Sequence, residues 1–326
     1  MLYQLSYTPK ADCDLRRPRG EIKRRFAGFV WFCKKPDATH PVMDIDRPSA
    51  PEIFAHAPWT HVAKPALAAT KAVPTMLGPQ EQQLYYWLTS VWARGDGAVV
   101  DLGCCAGGST ARLAAGAADS GLNTRIVAYD RFTAAEPLKE TLLYANGIET
   151  FAGNDILPLA ERLLSPWSDR IDLIPGEIED NAWDGGPIEL LVIDSAKTAD
   201  SLDAQSALFY PHLIAGQSVI LHQDFLHWSQ PWLVAQMELM SDYFTPLACV
   251  PRSTVAFLCT ATPDADALAI GATADLTDED LQALISAART RMAPFGRDDR
   301  FQAIADGLVA NPGERVAWKF RRPDSA

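Results

Sequence analysis

Long apolar runs are missing from this chain of 326 residues. None approaches the ~18 residues that a membrane-spanning helix needs. The opening MLYQLSYTPK lacks the charged-then-apolar order of a signal peptide. No membrane association and a cytoplasmic location are therefore expected. Positive charge is scarce as well: 29 Lys and Arg stand against 41 Asp and Glu, for a net charge of −12 and a pI near 4.9. That balance argues against a nucleic-acid partner, because phosphate binding needs a basic face. Cysteine is sparse and unpatterned. The six cysteines (Cys13, Cys33, Cys104, Cys105, Cys249 and Cys259) show no C-x-x-C spacing. In a chain this long, free thiols in a reducing compartment are expected rather than a disulfide framework.

The glycine-rich stretch Gly97 to Thr110, GAVVDLGCCAGGST, is informative first for what it does not contain. It has Gly103-x-x-x-Gly107-Gly108 rather than G-x-G-x-x-G, so the dinucleotide fingerprint is absent. It has no lysine before Ser109-Thr110, so it is not a phosphate-binding P-loop. What remains is a short β-branched strand from Ala98 to Leu102, a tight turn, and a helix starting near Ser109. Asp101 lies at the strand end, where open α/β sheets bind their ligands.

A second strand, Arg125 to Tyr129, ends at Asp130. A carboxylate there is placed to accept the ribose hydroxyls of a nucleoside. The spacing between Asp101 and Asp130 fits one βαβ unit. Further strands are expected over Arg170 to Pro175, Pro187 to Ile193 and Gln217 to Leu221. Phe244 to Val250 and Thr254 to Cys259, separated by Pro251-Arg252-Ser253, read as a closing hairpin. A helix from Pro79 should bury Leu84, Trp87, Leu88, Val91 and Trp92 on one face. Apolar content of 48% supports a sizeable core.

The ends of the chain carry less pattern. Lys10 to Lys35 is basic, and Phe26 to Cys33 is a short apolar run. Residues 36 to 75 are proline-rich and read as an extended or short-helical cover. Beyond residue 260, Thr277 with Asp278, Glu279 and Asp280 forms a helix start, and a shorter helix is expected from Arg300 to Leu308. Candidate roles for this tail are to cover a sheet edge or to build a homodimer contact.

The run from Met76 to Thr260 resembles the class I S-adenosylmethionine (SAM) methyltransferases, in the branch of macrocin O-methyltransferase-like and cephalosporin-hydroxylase-like proteins. The matching pieces are VVDLGCCAGGST, AYDRF, PIELLVIDSAKT, SVILHQDF and PWLVAQMELMSDYF. The resemblance implies an α/β fold with a seven-stranded Rossmann-like methyltransferase sheet, mostly parallel with an antiparallel hairpin at its end. Residues 1–75 would form an N-terminal cover, 76–260 the SAM-dependent domain and 261–326 a C-terminal helical tail. It also implies SAM as cofactor, held by Asp101, Gly103, Cys104, Gly107, Ser109, Asp130 and Glu177. Glu177 follows the third strand and is a candidate for the adenine amino group or a plain turn carboxylate.

For the chemistry, a hydroxyl acceptor needs a base or a metal close to the methyl group. Asp194, His222 and Asp224 are the candidate catalytic residues, with His227 nearby. Asp194 closes the fourth strand; His222 and Asp224 flank the end of the fifth. Relatives in this branch carry an acid at the fourth strand end and a pair at the fifth. Here Gln223 stands in place of the first of that pair and only Asp224 remains. Asp194 and Asp224 with His222 are nonetheless a candidate set for Mg2+. Lys197 would either hold an anionic substrate group or pair with Asp224. The expected function is O-methylation of a small polar metabolite, a sugar or natural-product hydroxyl. The alternatives are a non-catalytic binding protein on the same fold and a nicotinamide-dependent oxidoreductase.

Overall fold

A computed structural model describes residues 49–323. The basic stretch from Lys10 to Lys35, the run from Phe26 to Cys33, and both Cys13 and Cys33 lie outside the described residues.

Seven strands form one sheet: β1 (Ala98–Leu102), β2 (Ile126–Asp130), β3 (Ile171–Pro175), β4 (Ile188–Ile193), β5 (Val219–His222), β6 (Phe244–Cys249) and β7 (Val255–Cys259). Their order is β3-β2-β1-β4-β5-β7-β6. The first five strands pair in parallel, and β7 runs antiparallel to both β5 and β6. This is the mostly parallel sheet with a closing hairpin that the sequence predicts. The order reverses at β1, so the crevice beyond the carboxyl ends of β1 and β4 is the place where such sheets bind ligands.

Among the described residues ten α-helices surround the sheet. They are α1 (Ala50–Ala55), α2 (Pro79–Trp87), α3 (Gly108–Ser120), α4 (Glu136–Leu138), α5 (Leu157–Leu164), α6 (Ala199–Phe209), α7 (Pro231–Leu239), α8 (Ala265–Ile270), α9 (Asp278–Arg291) and α10 (Asp298–Ala310). β1 and β4 are buried along their whole length, as strands covered on both faces must be. One face of the sheet is covered by α2, α3 and the aromatic cover Phe54, Trp59, Trp87 and Trp92. The Phe54 ring meets Trp87 edge-on at 5.3 Å. The other face packs against α6, α7, α9 and α10, so Leu281, Ile285, Phe301, Ile304 and Leu308 share a core with Ile193 and Ile220. The residues after 260 are thus a structural layer of the sheet.

One expected core position moves out. Beyond Trp87 the helix continues as a π-turn, Leu88–Trp92. The wider turn rotates Val91 to the surface, where it is 59% exposed, while Leu88 and Trp92 stay buried.

Two buried polar side chains, Glu81 and Arg112, lock the top of the sheet. Glu81 accepts the backbone N–H of Gly78 (2.6 Å), the Gln223 amide (2.9 Å) and the Thr254 hydroxyl (2.6 Å). Arg112 of α3 donates to the carbonyl oxygens of Val73 (3.0 Å) and Gly108 (2.9 Å). Segment 73–78 is thereby fixed above the glycine loop. Finally, Thr277 caps α9 by accepting the Asp280 N–H, as the sequence predicts.

Candidate active site

A cleft of about 2150 Å³ opens over the carboxyl ends of β1, β2, β4 and β5. Its floor begins with the loop after β1. Gly103 adopts φ +93°, and a Cβ there would come within 3.0 Å of the Asp194 backbone. The glycine lets the β1 and β4 ends close on one another. Cys105 also has a left-handed backbone (φ +53°), which aims its N–H at Asp130. Burial pushes the Cys105 thiol up to about 12, so it is not a nucleophile at neutral pH.

Asp130 lines the cleft at the end of β2. Its Oδ2 accepts the Cys105 N–H (2.9 Å) and its Oδ1 accepts the Phe132 N–H (2.7 Å). Burial raises its pKa against these two bonds. A carboxylate pinned by two backbone donors still has lone pairs for further hydroxyl donors. Gly103, Cys104, Ser109 and Glu177 line the same side.

Two of the expected cofactor residues do not face the cleft. Asp101 is fully buried behind the loop. Its Oδ2 accepts the Ser109 and Thr110 hydroxyls, both at 2.7 Å, which fixes the start of α3. Its Oδ1 is buried with no protein partner. Burial raises Asp101 to about 6, against the two hydroxyl bonds. Gly107 turns away too. A Cβ there would fall 2.7 Å from Leu164, so this glycine serves the packing of α5 against the loop.

At the ends of β4 and β5 three charges interlock. The Lys197 ammonium donates to Asp194 (2.7 Å) and to Asp224 (2.5 Å). The Gln230 amide donates to the same Asp224 oxygen at 2.9 Å. Burial dominates for Asp194 and, with the like charge of Asp224, outweighs Lys197 to raise it to about 7. For Asp224, burial is outweighed by Lys197, His227 and the Gln230 bond, which hold it well below the ordinary carboxylate range. Lys197 is partly buried as well, but its two carboxylates keep its pKa above the ordinary range. Pairing, one of the two sequence readings of Lys197, is present, and with Asp194 as well as Asp224.

The structure corrects the place of His222. It is 0% exposed and lies in the core between Phe225 and Phe257, at 6.1 Å from each ring. Its Nε2 is 3.3 Å from the Tyr210 hydroxyl and its Nδ1 has no partner. Burial lowers its pKa to about 3, and it does not line the cleft. His222 is therefore not brought to the cleft that Asp194 and Asp224 line. Nor do Asp194 and Asp224 fit a divalent ion with it. The space between the two carboxylates is taken by the Lys197 ammonium, and among the described residues no three His, Cys, Asp or Glu side chains gather as ligands. Gln223 is committed elsewhere: its Oε1 accepts the Tyr85 hydroxyl (2.8 Å) while its amide donates to Glu81.

The C-terminal segment builds the far wall, which the sequence pattern does not reveal. Val316, Trp318, Lys319 and Phe320 line the cleft together with Arg300 and Arg322. The segment is stitched to the Lys197 loop through a Thr198–Val316 bridge and an Ala317 N–H donated to the Lys197 carbonyl oxygen.

The fold and site define a class: a seven-stranded α/β sheet with an open cleft at its switch point and an acid–lysine–acid cluster beside it. No protein-family model and no curated protein matches the sequence. Among solved structures the fold is similar to the O-methyltransferase NovP, at 14% identity over 57% of this chain and 82% of that one, with a TM-score of 0.45. It is also similar to an O-methyltransferase from Bacillus cereus in complex with SAH, at 14% identity over 64% of this chain and 97% of that one, TM-score 0.38. A third is CalS11, a TDP-rhamnose 3'-O-methyltransferase, at 15% identity over 64% and 92%, TM-score 0.39. Likenesses this distant carry no weight for the residues of the cleft. For location, no helix among the described residues is long and apolar enough to cross a membrane.

Proposed function

We propose that the chain is a SAM-dependent methyltransferase that methylates a hydroxyl of a small polar metabolite. The observation that carries this reading is Asp130, held by two backbone N–H groups at the end of β2 and facing the cleft beside the glycine loop. Its free lone pairs suit the two hydroxyls of a ribose. The same side of the cleft carries Glu177, Glu179 and Asp194, a charge balance that suits a cationic ligand. SAM, when bound, supplies a methyl group activated on a sulfonium.

The residues of the chain then have distinct tasks. Asp130 holds the ribose, and Gly103, Cys104 and Ser109 shape the floor beneath the amino-acid end. Glu177 is placed for the adenine amino group. Asp194 takes the proton of the acceptor hydroxyl, and a carboxyl raised to about 7 is well matched to that task at neutral pH. Lys197 stays protonated, fixes Asp194 and stabilises negative charge developing on the acceptor oxygen. Asp224 and Gln230 fix Lys197. Alignment of acceptor and methyl supplies much of the remaining acceleration. No step is assigned to a divalent ion, because the lysine occupies its place.

Calorimetry with SAH, the demethylated product of SAM, tests the reading. Binding is expected, and Asp130→Ala should weaken it about tenfold or more. No heat at about 1 mM ligand would overturn it.

A further inference from the structure

The cleft is electrically divided. On the sheet side acids outnumber cations, with Asp130, Glu177, Glu179, Asp194 and Asp224 against Arg131, Lys197 and Arg252; on the C-terminal wall the balance is reversed, with Arg300, Lys319 and Arg322 against Asp306. This is unexpected in a protein of net charge −12. Among the described residues the cations of the wall make no close internal ion pair. Arg300 makes only a loose contact with Asp299, at 3.8 Å and with both side chains exposed. Among the described residues no carboxylate pairs with Lys319 or Arg322. Arg300 and Arg322 line the cleft together with His227, Trp228 and Ser229. They therefore face the loop that follows Asp224, on the acceptor side of the cluster.

This wall is built to hold its shape. In α10, Gly307 lets the helix approach so closely that a Cβ there would fall 2.3 Å from the Trp228 carbonyl oxygen. The Trp228 and Phe320 rings meet edge-on at 6.2 Å. Two aromatic rings thus stand beside the cations.

Resting on the methyltransferase reading above, we infer that the acceptor carries an anionic oxygen group, a carboxylate or a phosphate, bound by Arg300, Lys319 and Arg322 while its body lies against Trp228. The division of charge then orders the two ligands: the cationic one is drawn to the sheet side and the anionic one to the C-terminal wall, which brings them together at Asp194 and Lys197. Guanidinium groups suit either oxyanion through paired N–H donors.

A metabolite extract separated on an anion exchanger, each fraction incubated with the full chain and methyl-labelled SAM, tests this. Label is expected in the retained fraction. Prior phosphatase treatment abolishes it for a phosphate and spares it for a carboxylate. In Lys319→Ala/Arg322→Ala, two exposed substitutions, the KM for the labelled acceptor should rise about tenfold or more, with SAH affinity unchanged. Absence of label from the retained fraction, or an unchanged KM, overturns the inference while SAH still binds. Loss of SAH binding by the native chain would instead remove the methyltransferase reading itself.

Discussion

The backbone N–H of Ala317 donates to the carbonyl oxygen of Lys197 at 2.9 Å. A residue near the end of the chain thus fixes the loop whose lysine stands between Asp194 and Asp224. The C-terminal wall and the charges proposed to react with the acceptor form one stitched unit, so an alteration in one should be felt in the other.

Ala317→Pro isolates that stitch. Ala317 opens a short 3-10 turn, Ala317–Lys319, and the preceding Val316 is extended (φ −127°, ψ 112°). A proline fits both requirements and removes only the donor. Turnover is expected to fall about tenfold, with SAH affinity and the thermal midpoint little changed. Single-turnover kinetics beside SAH calorimetry checks it; unchanged turnover would mean that Lys197 holds its place without the tail.

Gly116→Ala should go against helix propensity. In an open helix the change gains about 1 kcal/mol. Here α3 crosses α2 so closely that a Cβ would lie 2.2 Å from Thr89 Oγ1 and 2.3 Å from the Tyr86 carbonyl oxygen. The helices must separate, at a cost of about 2–3 kcal/mol. Urea denaturation measures the loss directly.

The sequence made the sheet legible because strand ends in this fold are marked by punctuation: Asp130 after IVAY, Asp194 after LLVI, and glycines after β1. The expected strands fall within a residue or two of those observed. It was less informative about which way a side chain points. Both faces of a doubly covered sheet are apolar, so nothing in VILHQD separates His222, turned into the core, from Asp224, turned to the cleft. Asp101 and Gly107 show the same limit: the motif places them in the loop, and only packing shows that they support it from behind. The Ala317–Lys197 contact joins segments far apart in the chain and leaves no local periodicity to detect. The nearest sequence signal was the charge contrast of Arg300, Lys319 and Arg322 against an acidic chain.

His222→Leu tests the corrected role of that histidine. The ring is enclosed by Phe225 and Phe257, its Nδ1 is unpartnered, and Tyr210 retains a second bond to Gln236 at 3.0 Å. Replacing a buried, half-satisfied ring by an apolar side chain costs little. Turnover should stay within a few-fold of the native value, and stability within about 1 kcal/mol. A fall in turnover of about a hundredfold or more, the scale expected for a lost general base, would return His222 to the reacting groups.

The pH dependence of turnover discriminates between the two charged partners of the cluster. Asp194 is raised to about 7, and a base must be unprotonated, so turnover should rise with pH through about 7 and then level off. Asp194→Asn should lower turnover about 10²–10⁴-fold and abolish that rise, while SAH affinity stays within a few-fold. Lys197→Met acts in the opposite sense on the same group. It removes the charge that lowers the Asp194 pKa and leaves the charge of Asp224, which raises it. The rise in turnover should therefore shift to higher pH. The variant also leaves two largely buried carboxylates without their cation, at a cost of about 3 kcal/mol near neutral pH. That loss should shrink as pH falls through the raised pKa of Asp194, because a protonated Asp194 no longer repels Asp224. A rise that stays near pH 7 in Lys197→Met would show that the titrating base is a group other than Asp194.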